Sequence, residues 1–197
     1  PHSKLGVPLE TLAPIVKKHP DKLKALEGIL VHSNCDSSNL NELATTIQHL
    51  HSTLGTLFEM VRWVNLGGGY LINEAADLNP LKNTIQFLRS TYEVDVFVEP
   101  GATLVRTAGQ IVSTVLDVFE SEGKTIAVLD TTVNHMPEVL EYGFEPDVLN
   151  HEDDAALEYL LVGCTCLSGD VFGFYRFHDP LSVGSQVVFP NAGAYTL

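Results

Sequence analysis

The sequence predicts an α/β half followed by a mostly antiparallel β half. Three observations carry this. Up to about residue 104, short β-rich runs that end in polar or glycine-rich loops alternate with helical periodicity. From residue 105 onward, β-branched runs separated by Gly, Pro and Asp take over. The composition, 45% hydrophobic and 18% charged over 197 residues, is that of a folded chain with core enough for one large domain or two small ones. The expected division is therefore 1–104 and 105–197.

The elements follow in order. Gly28-Ile29-Leu30-Val31 reads as a buried strand, with a polar loop from His32 to Asn39 at its carboxyl end. Asn39 and Glu42 form a helix-capping pair, and Leu40, Leu43, Ile47, Leu50 and Leu54 recur at helical spacing behind it. A second strand, Val61 to Leu66, runs into Gly67-Gly68-Gly69. Asn79-Pro80 reads as N-cap and first helical residue, with Leu81, Ile85 and Leu88 as the apolar stripe. A third strand, Val94 to Val98, ends at Glu99-Pro100-Gly101. Strand, loop, helix, repeated, is a parallel unit whose chemistry sits at the carboxyl ends of its strands. In the second half, Gln110 to Phe119, Thr125 to Asp130, Leu157 to Cys166, Gly173 to Phe177 and Gln186 to Phe189 read as strands. A helical turn is expected at Pro137 to Tyr142.

Charge and cysteine usage narrow the function classes. Eleven Lys+Arg against twenty-five Asp+Glu give a net charge of −14, which argues against binding to a nucleic-acid backbone and would suit a cationic small molecule. No window reaches the roughly 18 consecutive apolar residues of a membrane helix, so a soluble protein with no membrane partner is expected. Three cysteines cannot all pair and no secretory signal precedes them, which points to the cytoplasm.

Several residues invite chemistry, each with a plainer reading beside it. Gly67-Gly68-Gly69 after a strand is either an anion cradle or a tight turn, and is neither a dinucleotide fingerprint nor a P-loop. Glu99 places a carboxylate at a strand end, and His32 a ring at the mouth of the unit; each can equally be structural. Cys164-Thr165-Cys166 lacks a second cysteine pair or a His pair, so no metal site is expected. Cys166 reads as a reactive loop thiol or as a small buried hydrophobe.

Taken together, the segments resemble one family, the pyridoxal-phosphate decarboxylases of fold type III. The resemblance is carried, in order, by Ser3-Lys4-Leu5-Gly6, Val31-His32, Asn65-Leu66-Gly67-Gly68-Gly69, Val98-Glu99-Pro100-Gly101 and Leu129-Asp130. It continues through the run from Gly163 to Asp170 and through Asn191 to Thr196. His135 to Glu141 and Thr165 to Gly173 are most similar to the carboxynorspermidine branch, which forms norspermidine or spermidine. Ornithine and diaminopimelate enzymes carry an acidic residue directly after the reactive Cys, where this chain has Leu167.

The resemblance implies part of a (β/α)8 barrel followed by a mostly antiparallel β domain that is incomplete at its end. It implies pyridoxal phosphate held by Gly67, Gly68, Gly69, Gly101 and Tyr195, with Glu99 on the ring nitrogen and His32 on the ring face. Cys166, from the opposite subunit of a homodimer, would return a proton; Asp130 and Asp170 would bind a cationic polyamine-type substrate. Ala102 departs from the Arg or Glu that relatives carry after Glu-Pro-Gly. The family's Schiff-base lysine precedes the segment that contains Lys4, so it is expected upstream of Pro1 and the chain is expected to be an inactive fragment. A barrel cut partway has unpaired edges, so self-association is expected. The alternatives are a diaminopimelate or other amino-acid decarboxylase, and a non-catalytic binding homologue that lacks that lysine.

Overall fold

Apolar residues at helical spacing give each long helix of the first half one dry face, and a small sheet takes those faces. The computed structural model describes residues 4–35, 37–72 and 76–196. The chain forms two units, Pro1–Thr103 and Leu104–Leu197.

The first unit runs α1 (Leu9–Lys18), β1 (Gly28–Leu30), α2 (Leu40–Phe58), β2 (Trp63–Gly68), α3 (Asn79–Tyr92) and β3 (Asp95–Glu99). The strands pair in parallel in the order β1-β2-β3. Right-handed crossovers in a sheet ordered this way put α2 and α3 on the same side. Leu43 and Ile47 of α2 and Leu88 of α3 are fully buried in one cluster with Val64 and Leu66 of β2. The opposite face carries Trp63 and Asn65, with Asn65 in register between Leu30 and Phe97. The Trp63 indole lies so close over Gly28 that a Cβ there would come within 1.9 Å of it.

Several boundaries differ from expectation for local reasons. β1 is not buried throughout, because Leu30 stands on the uncovered face at 56% exposure. β2 extends through Gly67 and Gly68 and begins two residues later than expected. Asn39 is the N-cap of α2, its Oδ1 accepting from the Asn41 N–H, but Glu42 accepts from the Ser37 hydroxyl instead of reaching back to Asn39. Asn79 is the first residue of α3, not its cap, and Asp77 accepts its N–H. α1 was not singled out by periodicity; it contains Pro14 and packs Val16 against Leu54 and Leu57 of α2.

A short helix, α4 (Gly101–Val105), spans the division between the units. The second unit then runs β4 (Ile111–Ser121), β5 (Lys124–Leu129), α5 (Pro137–Tyr142), β6 (Leu157–Val162), β7 (Val171–Phe177) and β8 (Gln186–Phe189). The five strands lie in the order β7-β6-β5-β4-β8. Every neighbouring pair is antiparallel except β5 and β6, which are parallel. Leu129, Leu161 and Phe189 are fully buried in its core, where the Phe172 and Phe189 rings stack with centroids 4.8 Å apart. β6 ends at Val162, so Cys164-Thr165-Cys166 lies in a loop and not in the strand expected there. No helix among the described residues is long and apolar enough to cross a membrane.

Candidate active site

In the first unit the polar groups gather where β2 and β3 end. Asn65 donates from Nδ2 to Glu99 Oε1 at 2.6 Å and accepts the Gly67 N–H at Oδ1, 2.9 Å away. The Gly68 N–H makes a long contact, 3.5 Å, with Nδ1 of the exposed His32. The first two glycines therefore do not offer free N–H groups to an anion, as the cradle expectation required. Their work is close packing. A Cβ on Gly68 would sit 1.9 Å from the Glu99 carbonyl oxygen, so only glycine lets β2 and β3 approach here. Gly67 and Gly69 both have positive φ, at 74° and 76°, and lie directly against His32 and Cys35.

Tyr70, just past the run, is buried and donates its hydroxyl to the Leu66 carbonyl at 2.5 Å. Burial, and then the Glu99 charge, push its hydroxyl up to about 12. The Thr103 hydroxyl donates to the Tyr70 carbonyl. Between His32 and Cys35, the Asn34 side chain is 2% exposed, and neither its Nδ2 nor its Oδ1 has a hydrogen-bond partner among the described residues. An unsatisfied buried amide costs about 1–3 kcal/mol, so such a group marks a place where a polar ligand atom or water belongs. Gly101 opens α4, and a Cβ there would meet nothing within 4 Å.

In the second unit the parallel β5–β6 pair brings the two following loops to one end of the sheet. Asp130, after β5, is exposed and its Oδ1 accepts from the Ser113 hydroxyl at 2.6 Å and the Thr114 N–H at 2.7 Å. Those two bonds, the hydroxyl's first, hold its carboxyl below the usual carboxylate range. Cys166 is an exposed thiol in the loop after β6. Tyr195, 71% exposed with φ 55°, lies on a terminal segment tethered by the Ala192 and Gly193 N–H groups, which donate to the Gly109 and Arg106 carbonyls.

Asp170 departs from the substrate contact expected of it. It is 3% exposed, and its own chain supplies its donors. Oδ1 accepts the Val133 N–H at 2.8 Å and the Thr132 hydroxyl at 3.0 Å; Oδ2 accepts the Thr165 hydroxyl at 2.5 Å and the Thr165 N–H at 3.1 Å. Burial pushes its carboxyl up, but these four bonds outweigh it and leave the group below its ordinary value. Asp170 is thus the staple that joins the loop after β5 to the loop carrying Cys166. Asn34 and Tyr70 stand in no motif of the sequence, and Asn65 stands there as a member of the glycine motif with no role of its own. A polar residue in the middle of an otherwise apolar strand is the physical signal that sets Asn65 apart.

Comparison with known proteins places this geometry. A carboxynorspermidine/carboxyspermidine decarboxylase from Campylobacter jejuni is 33% identical over 190 residues, covering 89% of this chain and 49% of that protein. A carboxyaminopropylagmatine decarboxylase from Synechocystis is 32% identical over 177 residues, covering 87% of this chain and 46% of that protein. The crystal structure of carboxynorspermidine decarboxylase from Campylobacter jejuni complexed with norspermidine superposes with a TM-score of 0.83 at 30% identity, over 99% of this chain and 55% of that one. The chain spans about half the length of the curated relatives it matches. The family model of the pyridoxal-dependent decarboxylases, C-terminal sheet domain, matches residues 29–193, and the chain belongs to that family.

Proposed function

We propose that this protein carries out the pyridoxal-phosphate-dependent decarboxylation of a carboxylated polyamine of the carboxynorspermidine or carboxyspermidine kind, yielding norspermidine or spermidine. The observation that carries the reading is Glu99, a carboxylate braced by an amide at the end of a parallel strand, beside a glycine run. The residues present fit the cofactor: a carboxylate acceptor at the strand end, a backbone stripped of Cβ atoms, and the buried Asn34 amide, unpartnered among the described residues, alongside. In this reading the three parallel strands belong to a (β/α)8 barrel.

Bound pyridoxal phosphate supplies an electron-accepting ring for the electron pair left when carbon dioxide departs. Glu99 would hold the ring nitrogen and keep it protonated, with His32 against the ring face. Gly69, Gly101 and Tyr195 would hold the phosphate, together with whichever of Gly67 and Gly68 exchanges its internal partner. Asp130, held ionised by Ser113 and Thr114, takes the substrate's distal ammonium in a charge-assisted hydrogen bond. Cys166 gives its thiol proton to the substrate carbon that has lost its carboxylate. Two copies of the chain pair as a cytoplasmic homodimer, and Cys166 serves the partner copy's reaction. Asp170 has no substrate role here; it holds the Cys166 loop.

A substrate with a guanidino end is the second reading, favoured by the similarity to the Synechocystis carboxyaminopropylagmatine enzyme. Diaminopimelate is disfavoured by Leu167 beside Cys166. The test is to supply the natural full-length protein with carboxynorspermidine, carboxyaminopropylagmatine and diaminopimelate in turn, and to identify the products. Norspermidine formed fastest supports the proposal, and Cys166→Ala should then slow turnover about 100-fold, as loss of a general acid does. Preferred turnover of diaminopimelate overturns it.

A further inference from the structure

We infer that Asn65 is a positioning residue, which sets the orientation of Glu99 and couples it to the glycine run. The amide's own orientation is not free. The Gly67 N–H can only donate, so the group that faces it must be Oδ1, and Nδ2 must then point to Glu99. Asn65 lies opposite Phe97 in the ladder, and Glu99 is the diagonal neighbour two residues on, within reach of a side chain on the same face. The register shift between Asn65 and Gly68 brings Gly68 opposite Glu99, so the strand that carries the amide also grips the backbone of its partner. Tyr70 clamps the run from its far end through Leu66. The Glu99 carboxylate and the Gly67 peptide are therefore one hydrogen-bonded unit, and Asn65 is the joint.

The chemistry requires an amide at this position. Aspartate would still accept the Gly67 N–H, but it would replace the donor to Glu99 with a second carboxylate at hydrogen-bond distance. The two ends of the joint can thus be separated by one substitution.

The inference rests on the proposed cofactor reading, and its test distinguishes the two. Pyridoxal phosphate affinity is measured by fluorescence titration in the natural full-length protein and in its Asn65→Asp and Asn65→Ala variants. Hydrogen exchange at the Gly67 amide is followed alongside, without cofactor. Asn65→Asp should keep Gly67 protection yet weaken cofactor binding about tenfold or more, the size of effect seen when a group that orients a ligand's partner is lost. Asn65→Ala, which adds no charge, should lose both Gly67 protection and affinity. Either variant binding cofactor as tightly as the parent overturns the inference. A parent protein that takes up no pyridoxal phosphate overturns the functional reading, and the inference with it.

Discussion

Asp170 illustrates how a residue's role is set by what surrounds it. A buried carboxylate that accepts two N–H groups and two hydroxyls is stabilised in its ionised form, and the loops it joins depend on that charge. Because its folded value is depressed, its contribution is fully present above the unfolded value near about 3.9 and is lost as pH falls through the lower folded one. Asp170→Asn turns an amide N–H toward a backbone N–H that can only donate, that of Val133 or that of Thr165, whichever way the amide faces. We expect this variant to lose about 2 kcal/mol at neutral pH, where the parent is fully ionised. The gap should narrow under acid, as the parent's own carboxylate protonates. Denaturant unfolding of both proteins across that range checks this; superimposable curves at pH 7 would show that the staple carries no weight. Asp170 was legible in the sequence as a motif member, but its burial was not. Two of its donors come from Thr132 and Val133, nearly forty positions away, and only the parallel β5–β6 pairing brings them in. A separation of 34 positions likewise hid the Asn65–Glu99 bond, although both residue types are plain to read. Glu99 and Asp130, by contrast, stand at or just past the strand ends that their local motifs indicate, whereas Cys166 lies in the loop beyond β6.

At the scale of elements, the strands were legible because β-branched and aromatic runs are bounded by Gly, Pro and Asp. Their ends were less so, because partner strands decide them. β8 (Gln186–Phe189) and α5 (Pro137–Tyr142) coincide with expectation, whereas β2 continues through two glycines that sequence alone assigns to a turn. Pairing with β3 holds Gly68 in the ladder, with Gly67 in the register shift just before it, and the missing Cβ at Gly68 is what permits the approach. This separates two glycines that the motif treats alike. Gly68→Ala must push β2 from β3 or move the Glu99 backbone, and should cost several kcal/mol, in the upper range for single substitutions, about 3 or more. Gly101→Ala meets open space at ordinary φ and should leave the melting temperature nearly unchanged. Thermal unfolding of the two variants compares them directly. Equal destabilisation would mean that the close approach at Gly68 does not constrain the sheet. If Gly101→Ala nevertheless weakens pyridoxal phosphate binding, the loss belongs to the ligand contact and not to folding.

At the scale of the whole chain, among the described residues of the first unit α2 and α3 cover one face of the parallel sheet and no element covers the other. Parallel strands are ordinarily buried on both faces, and their edges are ordinarily paired. Here β1 and β3 are edge strands, and Leu30 and Phe97, flanking Asn65 on the uncovered face, are 56% and 51% exposed. A net charge of −14 opposes association at low ionic strength, and that opposition is screened as salt rises. The 197-residue chain, prepared as a separate polypeptide, should therefore associate with itself, and more so in high salt than in low. Phe97→Lys places a cation on the uncovered face without entering the core. It should shift the association toward monomer while leaving the helical signal intact. Sedimentation velocity of both proteins at low and high salt reads this directly. A parent that stays monomeric in high salt, or a variant that associates as strongly as the parent, would locate the apolar balance of this sheet elsewhere.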